Sequence, residues 1–297
     1  MVNLNSNEIV VHSGTTMKII VPERQLGNGS VQIVPISNEP SFAKWKGNQN
    51  AEAHELIQKI AQIWEKKGIH DYLVYGKESS NGAFSWEIVP YEKSTFKFWK
   101  QFIVLWKITF GTSPTPRIIR QKVADDLKGE AAILTNPVAK VVKASKNIKD
   151  AFCNPDVIAR QLVFQGKKVN VLYNHAPIAI GEGKLHFLIT PKDHCQKFTE
   201  LSQEVTAEAD DLSQKLVKHY KSKKFDTAYV FNKNGEESGQ TVSHWHQHLV
   251  FTATKIQEFF GKLLVLLKML FGAWPMSKSE LAKRVSSLKA ELATVLC

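Results

Sequence analysis

His244, His246 and His248 stand on alternate residues in the stretch GQTVSHWHQHLVF, Gly239 to Phe251. On an extended chain, side chains alternate between two sides, and residues two apart are separated by roughly 6.6 Å. The three imidazoles then share one side, and Trp245, Gln247 and Leu249 share the other. A row of three polar rings is not an ordinary core face, because each buried ring nitrogen needs a partner. Two chemistries want imidazoles grouped in this way. They bind zinc, as His-x-His does with a third ligand, or one ring nitrogen attacks phosphorus and carries the group covalently. The preceding NKNGEESGQTVS favours phosphorus. Glycines with approachable backbone N–H groups, together with Gln240, Thr241 and Ser243, are donors suited to phosphoryl oxygens. No Asp or Glu lies within the histidine stretch to complete a metal set; the nearest are Glu236 and Glu237. An unperturbed imidazole pKa of about 6.5 leaves such a ring largely neutral and nucleophilic near pH 7.

The elements that must hold this stretch occur twice. FWKQFIVLWKITFG (98–111) matches FFGKLLVLLKMLFG (259–272) without a gap, and upstream DYLVYGK faces TAYVFNK and GNGSVQIVP faces GEGKLHFLITP. One copy of about 150 residues implies two domains of ordinary size rather than a solenoid. Each copy reads as an extended run, a Gly-containing turn, a second β-rich run, a long helix, two more strands, an apolar element and a polar helix. In the first copy Leu56, Ile57, Ile60, Ile63 and Trp64 keep near-helical spacing, with Gly68 past the end. Strands joined by short turns, with helices grouped apart, predict an α+β fold on antiparallel sheet. The expected division is 1–128 for the first copy, 129–150 as linker, and 151–297 for the copy that holds the histidines.

The 39 Lys+Arg against 28 Asp+Glu give a formal charge of +11, which suits a phosphate-rich ligand. The lysines are scattered and no arginine-rich arm is present, which argues against a nucleic-acid groove. Cys153, Cys195 and Cys297 form no Cys-x-x-Cys pair and no disulfide framework, as suits a reducing, cytoplasmic setting. The N-terminal residues lack the pattern of a signal peptide. Phe259–Trp274 is apolar but carries Lys262 and Lys268 and falls short of the roughly 20 residues of a span. It is expected to pack within the fold, as is Trp274, with no membrane partner.

HWHQHLV resembles the His-φ-His-φ-His-φ-φ signature of the histidine-triad (HIT) superfamily of nucleotide hydrolases and transferases. GQTVSH resembles that family's Gly-Gln-Ser/Thr-Val lead-in, and TPKDH (190–194) its Pro-Lys-x-His strand end. VLYNHAPIAIGEG resembles the strand and turn around the ribose, and FCNPDVIARQLVFQGKKV the N-terminal hairpin. The resemblance covers roughly 150–297. It implies that His246 attacks the α-phosphorus and forms a nucleotidyl-histidine, that His244 orients His246 through its backbone, and that His248 holds phosphate oxygens. Gln240 and Thr241 would bond the phosphate and the leaving-group oxygen, Asn232 the phosphate, and Asn174 the ribose hydroxyls, with His194 beside the triad. The implied substrate is a purine nucleoside phosphate adduct or a dinucleoside polyphosphate.

Members of the family pair as dimers of five-stranded sheets. The two copies here are therefore expected to form an intramolecular pseudo-dimer in which 1–128 replaces the partner. In that half Ala83, Ser85 and Glu87 stand where the triad would be, Asn38 for His194 and Pro22 for Asn174. Two departures are visible. Gln247 is polar where the family buries an apolar residue. Only Cys153 stands where some members hold zinc with Cys-x-x-Cys and two histidines, so no metal and no cofactor is expected, although His194 and His244 would be available. His248, rather than Gln, points to the hydrolase-type branch. Two other readings stay open: a nucleotide-binding scaffold with little catalysis, and a zinc-dependent hydrolase. The remaining histidines, His54 and His186 among them, read as incidental.

Overall fold

Outer strands of the first half alternate buried and half-buried positions, as β-spacing requires, while the strands on either side of the second half's Gly-containing turn are buried throughout. MKIIV in one half has its counterpart in VNVLY in the other. The computed structural model describes residues 8–37, 39, 41–79, 83–135, 150–179, 184–223, 225–252 and 259–297. The first half contributes β1 (Ile9–Ser13), β2 (Met17–Val21), β3 (Val31–Pro35), β4 (Asp71–Ser79) and β5 (Trp86–Tyr91). The second contributes β6 (Leu162–Gln165), β7 (Val169–Tyr173), β8 (His186–Pro191), β9 (Thr227–Asn234) and β10 (Gln247–Thr252). They form one ten-stranded sheet in the order β1-β2-β3-β5-β4-β9-β10-β8-β7-β6. Read outward from its centre, the order is 4-5-3-2-1 on one side and 9-10-8-7-6 on the other, which is the same path taken twice. The halves join through antiparallel β4 and β9, from Tyr72↔Asn234 to Ser79↔Thr227. The chain is thus an α+β pseudo-dimer of two five-stranded antiparallel halves.

One face of the sheet carries α1 (Gly47–Lys66) and α6 (Gln203–Lys221), with α3 (Arg117–Lys128) and α8 (Lys278–Leu296) beside the outer strands β1 and β6. The main core lies there, with Ile57, Ile60, Leu212 and Leu216 against Val74, Trp86, Val230 and Trp245. Ser202 starts α6 by accepting from the Val205 N–H, and the Ser277–Glu280 pair starts α8 in the same way. The opposite face is covered by α2 (Lys97–Phe110) and α7 (Phe259–Phe271), which pack on each other over a smaller cluster that includes Leu73, Val104, Phe231 and Val250.

Three local expectations change. The segment expected to open as a hairpin begins with a helix, α5 (Pro155–Gln161). Asn154 accepts from the N–H groups of Asp156 and Val157, and Pro155 fits the first helical position. In the expected linker, Ala131–Thr135 forms α4 and Asp150 folds into the site described below; residues 136–149, the 181–183 turn and Asn38 lie outside the described residues. The matched apolar elements are helices of which only the inner sides are buried, and Trp274, expected in the core, is 92% exposed.

α1 and α6 are linked across the pseudo-dimer by His54 Nε2 and Asp210 Oδ2 at 2.6 Å, both buried, with the imidazole stacked on Phe198 at 5.0 Å. His54 is therefore structural rather than incidental. His54→Leu leaves the Asp210 carboxylate buried without its partner and is expected to cost about 3–5 kcal/mol, read as a lower urea midpoint.

Candidate active site

His248 lies in β10, paired with Leu188 of β8 and Phe231 of β9, while His244 and His246 precede the first regular strand residue. Trp245 and Gln247 still point into the core on the helix side. Gln247 is accommodated there by donating to Ser213 Oγ of α6 at 2.9 Å. On the other side His246 and His248 face each other, with ring centroids 4.8 Å apart, in a cleft of about 470 Å³.

Hydrogen bonds settle which ring nitrogens carry hydrogen. His246 Nδ1 lies 2.8 Å from the His244 carbonyl oxygen, which can only accept, so Nδ1–H donates and Nε2 keeps its lone pair. The Ile178 N–H donates to His186 Nδ1 at 3.2 Å, so the His186 hydrogen is on Nε2, which lies 2.9 Å from His248 Nδ1. His248 accepts there and therefore carries its own hydrogen on Nε2. The cleft thus pairs one ring nitrogen that is a nucleophile with a neighbour that is a donor. Burial lowers the pKa of His246 to about 4 and of His186 to about 3, and holds His248 well below its ordinary value. All three rings stay neutral at pH 7. Phe231 fixes His248 by stacking on it at 4.5 Å, and the Phe152 ring lies 5.1 Å from His246.

His186, read from the sequence as incidental, opens β8 opposite Val250, and this pairing sets its ring on the same side as that of His248, two residues away on β10. His186→Leu should free His248 to adopt either tautomer and lower kcat about 100-fold, with the unfolding midpoint measured alongside to separate this loss from a packing defect.

The expected phosphate contacts divide. Asn174 lines the cleft, its Nδ2 lying 3.2 Å from His186 Nδ1. Gln240 and Thr241 line it as well. The Gln240 side chain also ties its loop together, accepting from the Gly235 N–H at 2.6 Å and donating to the Gln196 carbonyl at 3.0 Å. Gly239, at φ +85°, brings that loop against Lys233, where a Cβ would stand 3.2 Å from the ammonium. Asn232 does not reach the cleft. It is fully buried on the helix side of β9 and accepts from Asn234 Nδ2 at 2.8 Å. The next residue, Lys233, faces the cleft instead, in register with Phe231, and burial lowers its pKa to about 8. The first half contributes too: Lys97 and Gln101 of α2 line the cleft, and Gln101 donates to the Glu237 carbonyl at 2.9 Å.

His194 is also outside the cleft lining. It sits behind the triad with His244, their Nδ1 atoms 3.0 and 2.7 Å from Asp150 Oδ2. Cys153 Sγ lies 3.7 Å from His194 Nδ1 and 3.6 Å from His244 Nδ1. His244 Nε2 lies 3.1 Å from the Pro191 carbonyl, so its hydrogen is on Nε2 and the Nδ1 lone pair points at the carboxylate. Four electron-pair donors from Asp150, Cys153, His194 and His244, all within 4.8 Å of one another, converge on one point. A shared cation would relieve that convergence, and one carboxylate, one thiolate and two imidazoles fit zinc. The expectation of no metal weighed only a Cys-x-x-Cys pair and did not consider Asp150, which makes the motif Asp-x-x-Cys.

The equivalent place in the first half is closed. Glu87 pairs with Tyr75 as His248 does with Phe231. Its carboxylate accepts from the Leu26 N–H at 2.8 Å and Ser30 Oγ at 2.7 Å. Ser30 occupies the position of His186, so one polar pair replaces the other and no ring remains to act as nucleophile.

The comparisons with known proteins agree with this geometry. Residues 156–255 match the family model of the HIT domain. An uncharacterised HIT-like protein of Methanocaldococcus jannaschii is 33% identical over 67 residues, 23% of this chain, and the match spans only about half, 52%, of that relative's length. A GalT-like protein from Arabidopsis thaliana superposes at a TM-score of 0.54 with 11% identity, over 95% of this chain and 87% of its own. An ADP-glucose phosphorylase from the same plant gives 0.52 with 12% identity, over 91% and 81%. At those identities the likeness is one of fold, and it extends across both halves of the sheet. The stretch that matches the HIT domain model, residues 156–255, thus holds the whole triad near its C-terminal end.

Proposed function

We propose that the chain is a nucleotide-processing enzyme, a nucleoside-phosphate hydrolase or nucleotidyl transferase, in which His246 forms a covalent bond to the α-phosphorus. The observation that carries this reading is the 2.8 Å hydrogen bond from His246 Nδ1 to the His244 carbonyl, which aims an unprotonated Nε2 into an open cleft. In the first step the Nε2 lone pair forms a P–N bond, and the bond from phosphorus to the leaving group breaks, its electron pair departing with that group. In the second, water or an acceptor hydroxyl attacks phosphorus, the P–N bond returns its pair to Nε2, and a proton passes to solvent. His248 Nε2–H and the Lys233 ammonium neutralise charge on the phosphoryl oxygens. Asn174 is suited to the ribose hydroxyls, and Gln240 and Thr241 to the phosphate mouth. Residues 1–128 act as the fused partner, supplying Lys97 and Gln101, with 129–150 as connection to 151–297.

Nucleoside phosphate adducts and dinucleoside polyphosphates fit this chemistry, purine ones by the HIT resemblance, with sugar nucleotides added because one neighbour in fold is an ADP-glucose phosphorylase with bound ADP-glucose. A panel of such compounds assayed for monophosphate release, with and without sugar phosphates as acceptors, tests the proposal. Release with at least one member supports it, and its failure with all members refutes it.

Zinc, where bound, would be held by Asp150, Cys153, His194 and His244 and would fix the His244 backbone that orients His246. A zinc-hydrolase reading is disfavoured because a catalytic zinc keeps an open position at the substrate, whereas this set is behind the cleft. Metal analysis of the purified protein is expected to find zinc, and Cys153→Ser should lower its retention about 10- to 100-fold against a chelator.

A further inference from the structure

Among the described residues, most of the large exposed apolar side chains lie on one surface, with Ile36, Ile118 and Ile119 elsewhere. Phe96, Trp99, Trp106, Leu267, Phe271 and Trp274 all belong to α2, α7 or the residues flanking them, with Trp99 58%, Phe271 71% and Trp274 92% exposed. α2 has two apolar sides. Val104 and Leu105 face inward and are buried, while the outward side is an aromatic ladder. In that ladder Trp99 contacts Phe102 at 5.8 Å, Phe102 contacts Trp106 at 5.7 Å, and Trp106 contacts Phe110 at 4.4 Å. Phe98 and Phe271, 5.9 Å apart, join this ladder to α7. A helix that only had to cover the sheet needs one apolar side; the second is spare, and a spare apolar surface of this kind marks a contact site.

The charges around it name the occupant. Neither α2 nor α7 contains an Asp or Glu, while Lys97, Lys100 and Lys268 stand on them; Lys107 instead turns toward the sheet and donates to the Gln25 carbonyl at 3.2 Å. A second copy docking by the same surface would set these lysines against their own equivalents, which opposes pairing. Aromatic rings beside lysines, on helices that themselves carry no acidic residue, suit the headgroup level of an anionic bilayer: the rings enter the acyl boundary and the ammonium groups meet phosphates. With 14 and 13 residues, the helices are about 20 Å long, too short for a hydrocarbon core of about 30 Å. No helix among the described residues is long and apolar enough to cross a membrane, so contact would be along the surface. The apolar helix is also present in both halves, whereas the triad is present in one. In the half without the triad it still covers the sheet through Val104 and reaches the cleft through Lys97 and Gln101, and neither role uses its outward aromatic side.

We propose that the α2–α7 surface docks on an anionic lipid bilayer. The cleft that holds His246 and His248 is rimmed by Lys97 and Gln101 of α2, by Lys268–Phe271 of α7 and by Gly272 and Ala273 just beyond it, so docking sets its mouth at headgroup level.

The test is flotation of the full chain with vesicles of phosphatidylcholine alone and of phosphatidylcholine with phosphatidylserine. The expected result is recovery with the serine-lipid vesicles that weakens as salt rises, and about tenfold weaker binding in the double variant Trp99→Glu/Trp106→Glu. Neither residue lines the cleft, so turnover of a soluble nucleotide should be unchanged in that variant. The second double variant, Leu267→Ser/Trp274→Ser, should reproduce the loss from the α7 side, with circular dichroism checking the fold of both. Failure to float with either vesicle overturns the proposal, as does flotation indifferent to phosphatidylserine or unaltered in both variants. A concentration-dependent dimer that the same substitutions dissolve, without flotation, would assign the surface to a second copy.

Discussion

His246→Asn is expected to keep the fold and lower kcat by about 10⁴-fold or more. The ring lies at the mouth of a cleft, 7% exposed, and its one hydrogen bond runs to a backbone carbonyl. Asparagine is polar and smaller, and its Nδ2–H can still meet that carbonyl, so the unfolding midpoint should change little. It has no nitrogen lone pair able to displace a group from phosphorus. A variant that retained even one part in ten of the activity would mean that water attacks directly and that the row of imidazoles serves only to bind the anion. Asparagine is a sharper choice than alanine, because alanine also opens a cavity beside Phe152, whose ring centroid is 5.1 Å from that of His246.

The second large effect is expected at Lys233. Burial in the cleft lowers its pKa to about 8, and under the proposed function the charge it keeps below that value would meet the phosphoryl oxygens. Lys233→Met should lower kcat/KM about 100- to 1000-fold. It should also change the pH profile. In the parent protein kcat/KM reports the free enzyme, so it should fall as pH rises through about 8, where Lys233 loses its proton; in the methionine variant that limb should vanish. Stability runs the opposite way. Between about 8 and the ordinary lysine value of 10.5 the unfolded chain holds a proton that the folded chain has released, so Lys233's contribution to stability rises with pH across that window. The variant should therefore gain stability at pH 7 while it loses activity. A residue of purely structural importance would lose both.

Much of the site was legible because its spacing is local. The alternate histidines, the Gly-Gln-Thr lead-in and the internal repeat require no knowledge of the tertiary fold, and the ten-stranded order repeats one path twice, as the repeat implied. What was not legible depends on register or on distant partners. Asn232 and Lys233 differ by one position, and in a strand one position exchanges the core face for the cleft face. The Pro191 and Pro35 ends of β8 and β3 do not reveal that His186 faces His248. That follows only from the pairing of β8 with β10. Asp150 was read as the end of a linker, since nothing local joins it to His194 and His244, 44 and 94 residues away. The apolar helices misled in another way. Their hydrophobicity implied burial, and a helix buried on one side only has the same composition as one buried all round.

Trapping the covalent intermediate is the most direct test of the proposed chemistry. The parent protein would be mixed with a turned-over substrate labelled at the α-phosphorus, quenched in alkali, and mapped by peptide mass. The expected result is one nucleoside monophosphate on the peptide that contains His246, at the ring nitrogen, and none in His246→Asn. Turnover with no label on the protein, or with label on another residue, would contradict it.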